Sequence, residues 1–164
     1  MTPEEVARAS AQQMWDDDRA SRTLGMAVVA VGPGTASVTM TVREDMVNGH
    51  DIGHGGLTFT LADSAFAFAC NSYNRRTVAA GAEIAFRRPT RLGDVLTASA
   101  SERSRDGRDG VYDVVVTRRC EAGSEVGSEA GSEVVATFVG RSREIGGTLF
   151  SEGPVAEESA EEES

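Results

Sequence analysis

The stretch 57-LTFTLADSAFAFACN-71 decides the fold. It contains neither Gly nor Pro, is dominated by Ala, Leu and Phe, and carries one charge, Asp63. Ala and Leu are strong helix formers, and a segment of this length makes about four turns. Apolar and small residues fill most positions, so the helix should be buried on nearly all sides rather than along one stripe. Such a helix needs a surface that wraps it.

The flanks supply strands. Upstream, 24-LGMAVVAVG-32 reads as a strand and Pro33-Gly34 as a turn. Next, 36-ASVTMTVR-43 alternates Val38, Met40 and Val42 with Thr39 and Thr41, the period-two pattern of a half-buried strand. Downstream, strands are expected at about 77–87, 95–103, 111–119 and 133–142. Turns fall at Arg88-Pro89, Leu92-Gly93-Asp94, and Arg105-Asp106-Gly107 through Gly110. At the N-terminus, Thr2-Pro3-Glu4-Glu5 has a hydroxyl cap, proline at the first helical position and Glu three residues after the cap. That predicts a helix to about Asp16 with Val6, Ala7, Ala11, Met14 and Trp15 on its apolar side. The order α–β–β–α–β–β–β–β predicts an α+β fold: a curved antiparallel sheet wrapped around a long central helix. Its edges and open face lead us to expect pairing with a second copy.

With 164 residues the chain is read as one main domain. Residues 1–23 form an N-terminal helix and linker, 24–148 the wrapped-helix domain, and 149–164 an acidic disordered tail. Within the domain, 122-AGSEVGSEAGSEV-134 repeats Gly-Ser-Glu three times and is read as a flexible expanded hairpin turn. The net charge of −10 argues against a nucleic-acid partner; the six Glu of 152–164 account for much of it and leave −4. All sixteen basic residues are Arg, which excludes Schiff-base and lysine-base chemistry. No apolar run approaches membrane-spanning length, the N-terminus does not read as a secretory signal, and two cysteines make no disulfide framework. The expected location is cytoplasmic.

Immediately before the apolar helix, 48-NGHDIGHGG-56 holds both histidines and four of the eighteen glycines. His50 and His54 are four apart, a ligand spacing on a helix, but four glycines argue against helix here and no third His or cysteine cluster completes a site. No metal is expected. A catalytic loop fits better. The first N–H groups of a helix lack internal partners and carry the positive end of its dipole. Glycine lets a carbonyl approach that backbone closely, as in an oxyanion hole. Asn48 and His54 add polar side chains.

Asp63 sits at the border of the apolar helix, among Phe59, Phe66 and Cys70 at helical spacing and beside the polar stripe Thr60, Ser64, Asn71. Desolvation there raises a carboxyl pKa, which suits a general base or nucleophile; the alternative is a carboxylate that simply reaches solvent. Gly55 and Asp63 lie eight residues apart, about 12 Å along a helix. One subunit cannot bring both to one carbonyl carbon. Antiparallel helices across a two-fold would join Gly55 of one subunit to Asp63 of the other.

The ordered set Asn48, His54-Gly55-Gly56, Leu61-Ala62-Asp63, Asn71-Ser72, Phe86-x-Arg88-Pro89, Gly93-Asp94, Gly110-x-Tyr112 and Gly140-x-Ser142 resembles the phenylacetic acid degradation thioesterases, which are hotdog-fold acyl-CoA thioesterases. The resemblance spans about 5–148. It implies hydrolysis of (hydroxy)phenylacetyl-CoA-type thioesters to free acid and CoA, in aromatic catabolism, by a dimer of dimers whose active sites are shared between subunits. It implies Asp63 as catalytic carboxylate, Gly55 as the N–H that polarises the carbonyl, and Asn48 and His54 as supports. Gly56, Asn71 and Ser72 join the substrate-binding set by the same resemblance. So do Arg87 and Arg88, facing coenzyme A phosphates; arginine chemistry suits phosphate but equally suits a surface ion pair. No cofactor is implied, since coenzyme A is part of the substrate. Two other activities fit the fold: an enoyl-CoA hydratase/dehydratase, which would want a His–carboxylate pair on the acyl α/β carbons, and a non-catalytic acyl-CoA binding module.

Overall fold

The computed structural model describes residues 1–120 and 131–151. Helix α1 spans Pro3–Asp17 and opens as the sequence predicts. The Glu5 N–H donates to Thr2 Oγ1 at 3.2 Å, and the Thr2 N–H donates to the Glu5 carboxylate at 2.7 Å, so two orphan donors are satisfied reciprocally. A short helix α2, Arg19–Thr23, follows, capped by Asp18 Oδ1 on the Ser21 N–H at 2.9 Å. The expected first strand therefore starts late. Leu24 caps α2 and Gly25 turns the chain at φ +69, leaving β1 at Ala27–Gly32.

Strand β2 is Thr35–Thr41, with Ala36, Val38 and Met40 buried as the alternation requires. Helix α3 is Gly55–Cys70, and β3 to β6 are Thr77–Phe86, Val95–Asp106, Asp109–Arg119 and Ser132–Glu144. All pair antiparallel in the order β1-β2-β4-β5-β6-β3. Register shifts in β1, β3, β4 and β6 let the sheet coil, and α3 touches all six strands. This is the hotdog arrangement. Leu61, Ala62, Ala65, Phe66 and Phe68 of α3 are buried, and Phe66 packs against Tyr112 and Phe138 with ring centroids 5.6 and 5.9 Å away.

Two expected boundaries move. Residues 132–134, assigned to the insertion, belong to β6, because pairing continues to Arg119–Ser132 and the Cys120 N–H donates to the Gly131 carbonyl at 2.9 Å. The rest of the insertion falls largely on 121–130, outside the described residues. The tail expected from 149 begins inside a bonded segment. Leu149 and Phe150 N–H donate to Asn74 Oδ1 at 3.0 and 3.1 Å, and Asn74 Nδ2 donates back to the Phe150 carbonyl. Residues 152–164 also lie outside the description. Among the described residues, no helix is long and apolar enough to cross a membrane.

Candidate active site

The loop before α3 is built by Asn48. Its Oδ1 accepts from the N–H groups of His50 (2.9 Å) and Ile52 (3.3 Å), and its own N–H donates to the Ile52 carbonyl at 2.8 Å. Asparagine favours such turns because its carboxamide mimics the backbone. Asp51 takes up the remaining reversal at φ 57. The loop is fastened outside itself by His54 N–H to the Met46 carbonyl (2.7 Å) and Gly53 N–H to the Thr90 carbonyl (2.8 Å). Gly53 makes room for Thr90: a Cβ would stand 2.1 Å from Thr90 Oγ1, so a side chain here would have to displace that hydroxyl.

The helix begins earlier than its glycines suggested. Gly55 and Gly56 are its first two residues and His54 is the N-cap, its Nδ1 accepting from the Gly56 N–H at 3.0 Å. Accepting through Nδ1 assigns the neutral tautomer with hydrogen on Nε2. Glycine's cost in a helix is backbone entropy, and the His54 cap offsets part of it here. The Gly55 N–H itself has no acceptor among the described residues. It stands at the positive end of a sixteen-residue helix.

Gly55 faces a cavity of about 320 Å³ that it shares with Asn48, Thr58, Phe86, Arg87 and Arg88. Ile52, Gly53, Pro89, Thr90 and Val135 complete the wall. The Phe86 ring closes over Gly55: a Cβ on residue 55 would lie 2.9 Å from Phe86 Cζ. Phe86 is nonetheless 56% exposed, at the end of edge strand β3. Of the arginines, Arg87 donates to Thr137 Oγ1 at 3.2–3.3 Å and Arg88 pairs with Glu133 at 3.3 Å while staying 65% exposed. Both stand at the cavity, Arg87 bonded to a neutral hydroxyl and Arg88 sharing its charge with Glu133.

Asp63 is not in that wall. It lies two turns further along α3, half-buried, with no ion pair or hydrogen bond assigned to its carboxylate among the described residues. Burial holds its pKa above the ordinary carboxylate value, because a desolvated carboxyl resists ionising. Cys70, on the same helix, is no rival nucleophile: burial pushes its thiol up to about 12.

Asn71 and Ser72 are both buried at the opposite end of α3, and their polar atoms serve the fold. Asn71 Nδ2 donates to the Ala67 and Thr77 carbonyls and Oδ1 accepts from the Thr77 N–H, which clamps the helix end to β3. Ser72 Oγ donates to the Ala69 carbonyl and accepts from the Gly34 N–H. The structure thus gathers Asn48, Gly55, Arg87 and Arg88 around one cavity, with His54 and Gly56 beside it. It keeps Asp63, Asn71 and Ser72 apart from it. Sequence reasoning did not assign Thr58 and Thr90 to the site; the available signal was that Thr58 lies one helical turn, i+3, from Gly55.

The family called Thioesterase superfamily matches residues 50–121. The acyl-coenzyme A thioesterase PaaI of Escherichia coli (strain K12) is 40% identical over 143 residues, 87% of this chain and 94% of that protein. The chain belongs to the thioesterase superfamily. This thioesterase is a thioester hydrolase, and its fold agrees with solved relatives. The structure of the E. coli PaaI protein from the phenylacetic acid degradation operon superposes with TM-score 0.80 at 39% identity, covering 90% of this chain and 99% of that one. The TT0310 protein of Thermus thermophilus superposes with TM-score 0.68 at 33% identity, over 78% and 98% of the two chains.

Proposed function

We propose that this thioesterase hydrolyses acyl-CoA thioesters of the phenylacetyl and hydroxyphenylacetyl type to the free acid and coenzyme A, in the catabolism of phenylacetate-like aromatics. The observation that carries the reading is the unengaged Gly55 N–H at the start of α3, opening on a cavity with an aromatic wall and two arginines at hand. The similarity to the E. coli acyl-CoA thioesterase supports the same chemistry.

In this reading the thioester carbonyl accepts from the Gly55 N–H, and the helix dipole stabilises the oxyanion as it develops. His54 and Asn48 keep that donor in place, His54 by capping the helix and Asn48 by folding the loop. Arg87 and Arg88 meet the phosphates of coenzyme A. The carboxylate is Asp63 of a second subunit, since about 12 Å of helix separates it from Gly55 within one chain. It either takes a proton from water, so that hydroxide adds to the carbonyl carbon and CoA thiolate leaves, or attacks that carbon itself, expelling CoA thiolate and forming a mixed anhydride that water then opens. Both routes use groups of the protein and water alone, and both need Asp63 ionised.

The test is thiol release from phenylacetyl-CoA and hydroxyphenylacetyl-CoA by wild type and Asp63→Asn. Rapid release that disappears in the variant is the expected result. Release that survives the substitution removes Asp63 from the mechanism. Loss of enoyl absorbance from an enoyl-CoA without thiol release would replace hydrolysis by hydration.

A further inference from the structure

The cavity wall holds two hydroxyls that the reaction above does not use. Thr58 and Thr90 are each 4% exposed and both line the cavity beside Gly55. Neither Oγ1 has a hydrogen-bond partner among the described residues, although Thr60 on the same helix donates to the Gly56 carbonyl at 2.8 Å in the way helical threonines commonly do. Among the described residues, the one fully enclosed side-chain polar atom without a partner is Ser10 Oγ on α1. The Thr58 and Thr90 oxygens therefore keep solvent access, and for residues so buried that access runs through the cavity. They come from different parts of the chain, Thr58 from the first turns of α3 and Thr90 from the segment after β3 that binds Gly53. The same wall carries apolar Ile52, Phe86, Pro89 and Val135 along with Asn48, Arg87 and Arg88.

We infer that Thr58 and Thr90 determine acyl specificity, by hydrogen bonding a hydroxyl carried on the acyl group. The inference rests on the thioesterase reading of the same cavity. Water satisfies both hydroxyls while the cavity is empty of substrate. An acyl group bound at Gly55 displaces that water, because Thr58 lies only three residues, about 4.5 Å of helix, beyond the donor. A bare hydrocarbon then leaves buried hydroxyls unpaired, which is unfavourable, whereas an acyl group with its own hydroxyl restores the bonds. Sites built this way discriminate strongly against the analogue that lacks the polar group, whereas a purely apolar pocket rejects an added hydroxyl only weakly.

The consequence is a pair of changes of opposite sign. Valine is isosteric with threonine and lacks the hydroxyl. In Thr58→Val, Thr90→Val and the double variant, kcat/KM should fall for the best substrate among 2-, 3- and 4-hydroxyphenylacetyl-CoA. For phenylacetyl-CoA it should rise, since the bare ring no longer strands a hydroxyl. Wild type should favour that best isomer over phenylacetyl-CoA by about tenfold or more, and the double variant should lose at least most of that ratio. Thr58→Ser and Thr90→Ser, which keep the hydroxyl, should retain it. A ratio unchanged in the valine variants overturns the inference. So does a parallel fall for all substrates, which would mark the threonines as structural, and so does a wild type without preference among the four esters. Absence of thiol release by wild type from any of them overturns the thioesterase reading instead, so the two failures are distinct.

Discussion

Asp63 is costly to the fold and needed by the proposed reaction, and the two facts have one cause. Its folded pKa is raised by burial; its unfolded pKa is ordinary. A group shifted this way favours the folded state below its unfolded pKa, and that contribution is lost as pH rises through the folded pKa. Once ionised, the carboxylate is therefore a net burden on the folded state. Asp63→Asn should raise the melting temperature at pH 7 by a few degrees while kcat falls by roughly a thousandfold or more, read by calorimetry and thiol release on the same preparation. The acid limb of wild-type kcat should lie above the ordinary carboxylate range, because activity is lost as pH falls through the raised pKa. A variant both inactive and less stable would mean that Asp63 is held by favourable contacts instead. Gly55 gives a second case. Its Cβ would meet the Phe86 ring at 2.9 Å, but that ring is largely exposed and free to swing, so Gly55→Ala should cost little stability and much kcat. Gly55→Ala with Phe86→Ala should be less than the sum of the two single losses, since removing the ring removes the collision.

At the scale of the element, α3 was legible in its middle and misread at its ends. The run 57–71 announced itself by composition. Its glycine start did not, because capping by His54 Nδ1 depends on which N–H groups lack partners, and composition does not show that. Helix α2 was missed for a related reason: five residues, 19-RASRT-23, carry no period to read. Asn71 was identified as a candidate for binding substrate, and only the coordinates reveal that its carboxamide is spent on Ala67 and Thr77. The cap and the clamp make separable predictions. His54→Ala should cost about 1 kcal/mol through loss of the N-cap. His54→Asn should recover most of that stability, since asparagine caps as well, as followed by urea unfolding. Asn71→Asp should be the worse change, because a carboxylate cannot donate to the two carbonyls that Nδ2 now serves and sets its own charge against their oxygens.

For the whole molecule, the alternating strands fixed the wrap of sheet around helix, yet the cavity was illegible because its wall joins residues from the 48–53 loop, α3, the end of β3 and β6. The proposed sharing of sites makes assembly testable through mixing. Asp63→Asn and Gly55→Ala subunits, each nearly inactive, should regain about one quarter of wild-type activity after being unfolded together and refolded. Half of randomly formed two-fold pairs then contain one of each, and each such pair holds one intact Gly55–Asp63 combination. No recovery would confine each site to a single chain.

The stem of the β5–β6 hairpin closes before the chain enters 121–130. Strand pairing runs to Arg119 and Ser132, the Cys120 N–H reaches Gly131, and Arg118 is held by Asp94, Glu133 and the Pro89 carbonyl. With the ends of that segment fastened together, extra residues add little further closure entropy. The hairpin is accordingly a natural splice port: a fluorescent protein or affinity peptide inserted between 121 and 130 should leave melting temperature and thiol release near wild type. The enzyme could then be reported on, or tethered beside the enzymes that form its substrate, through an insert held at the Cys120–Gly131 closure.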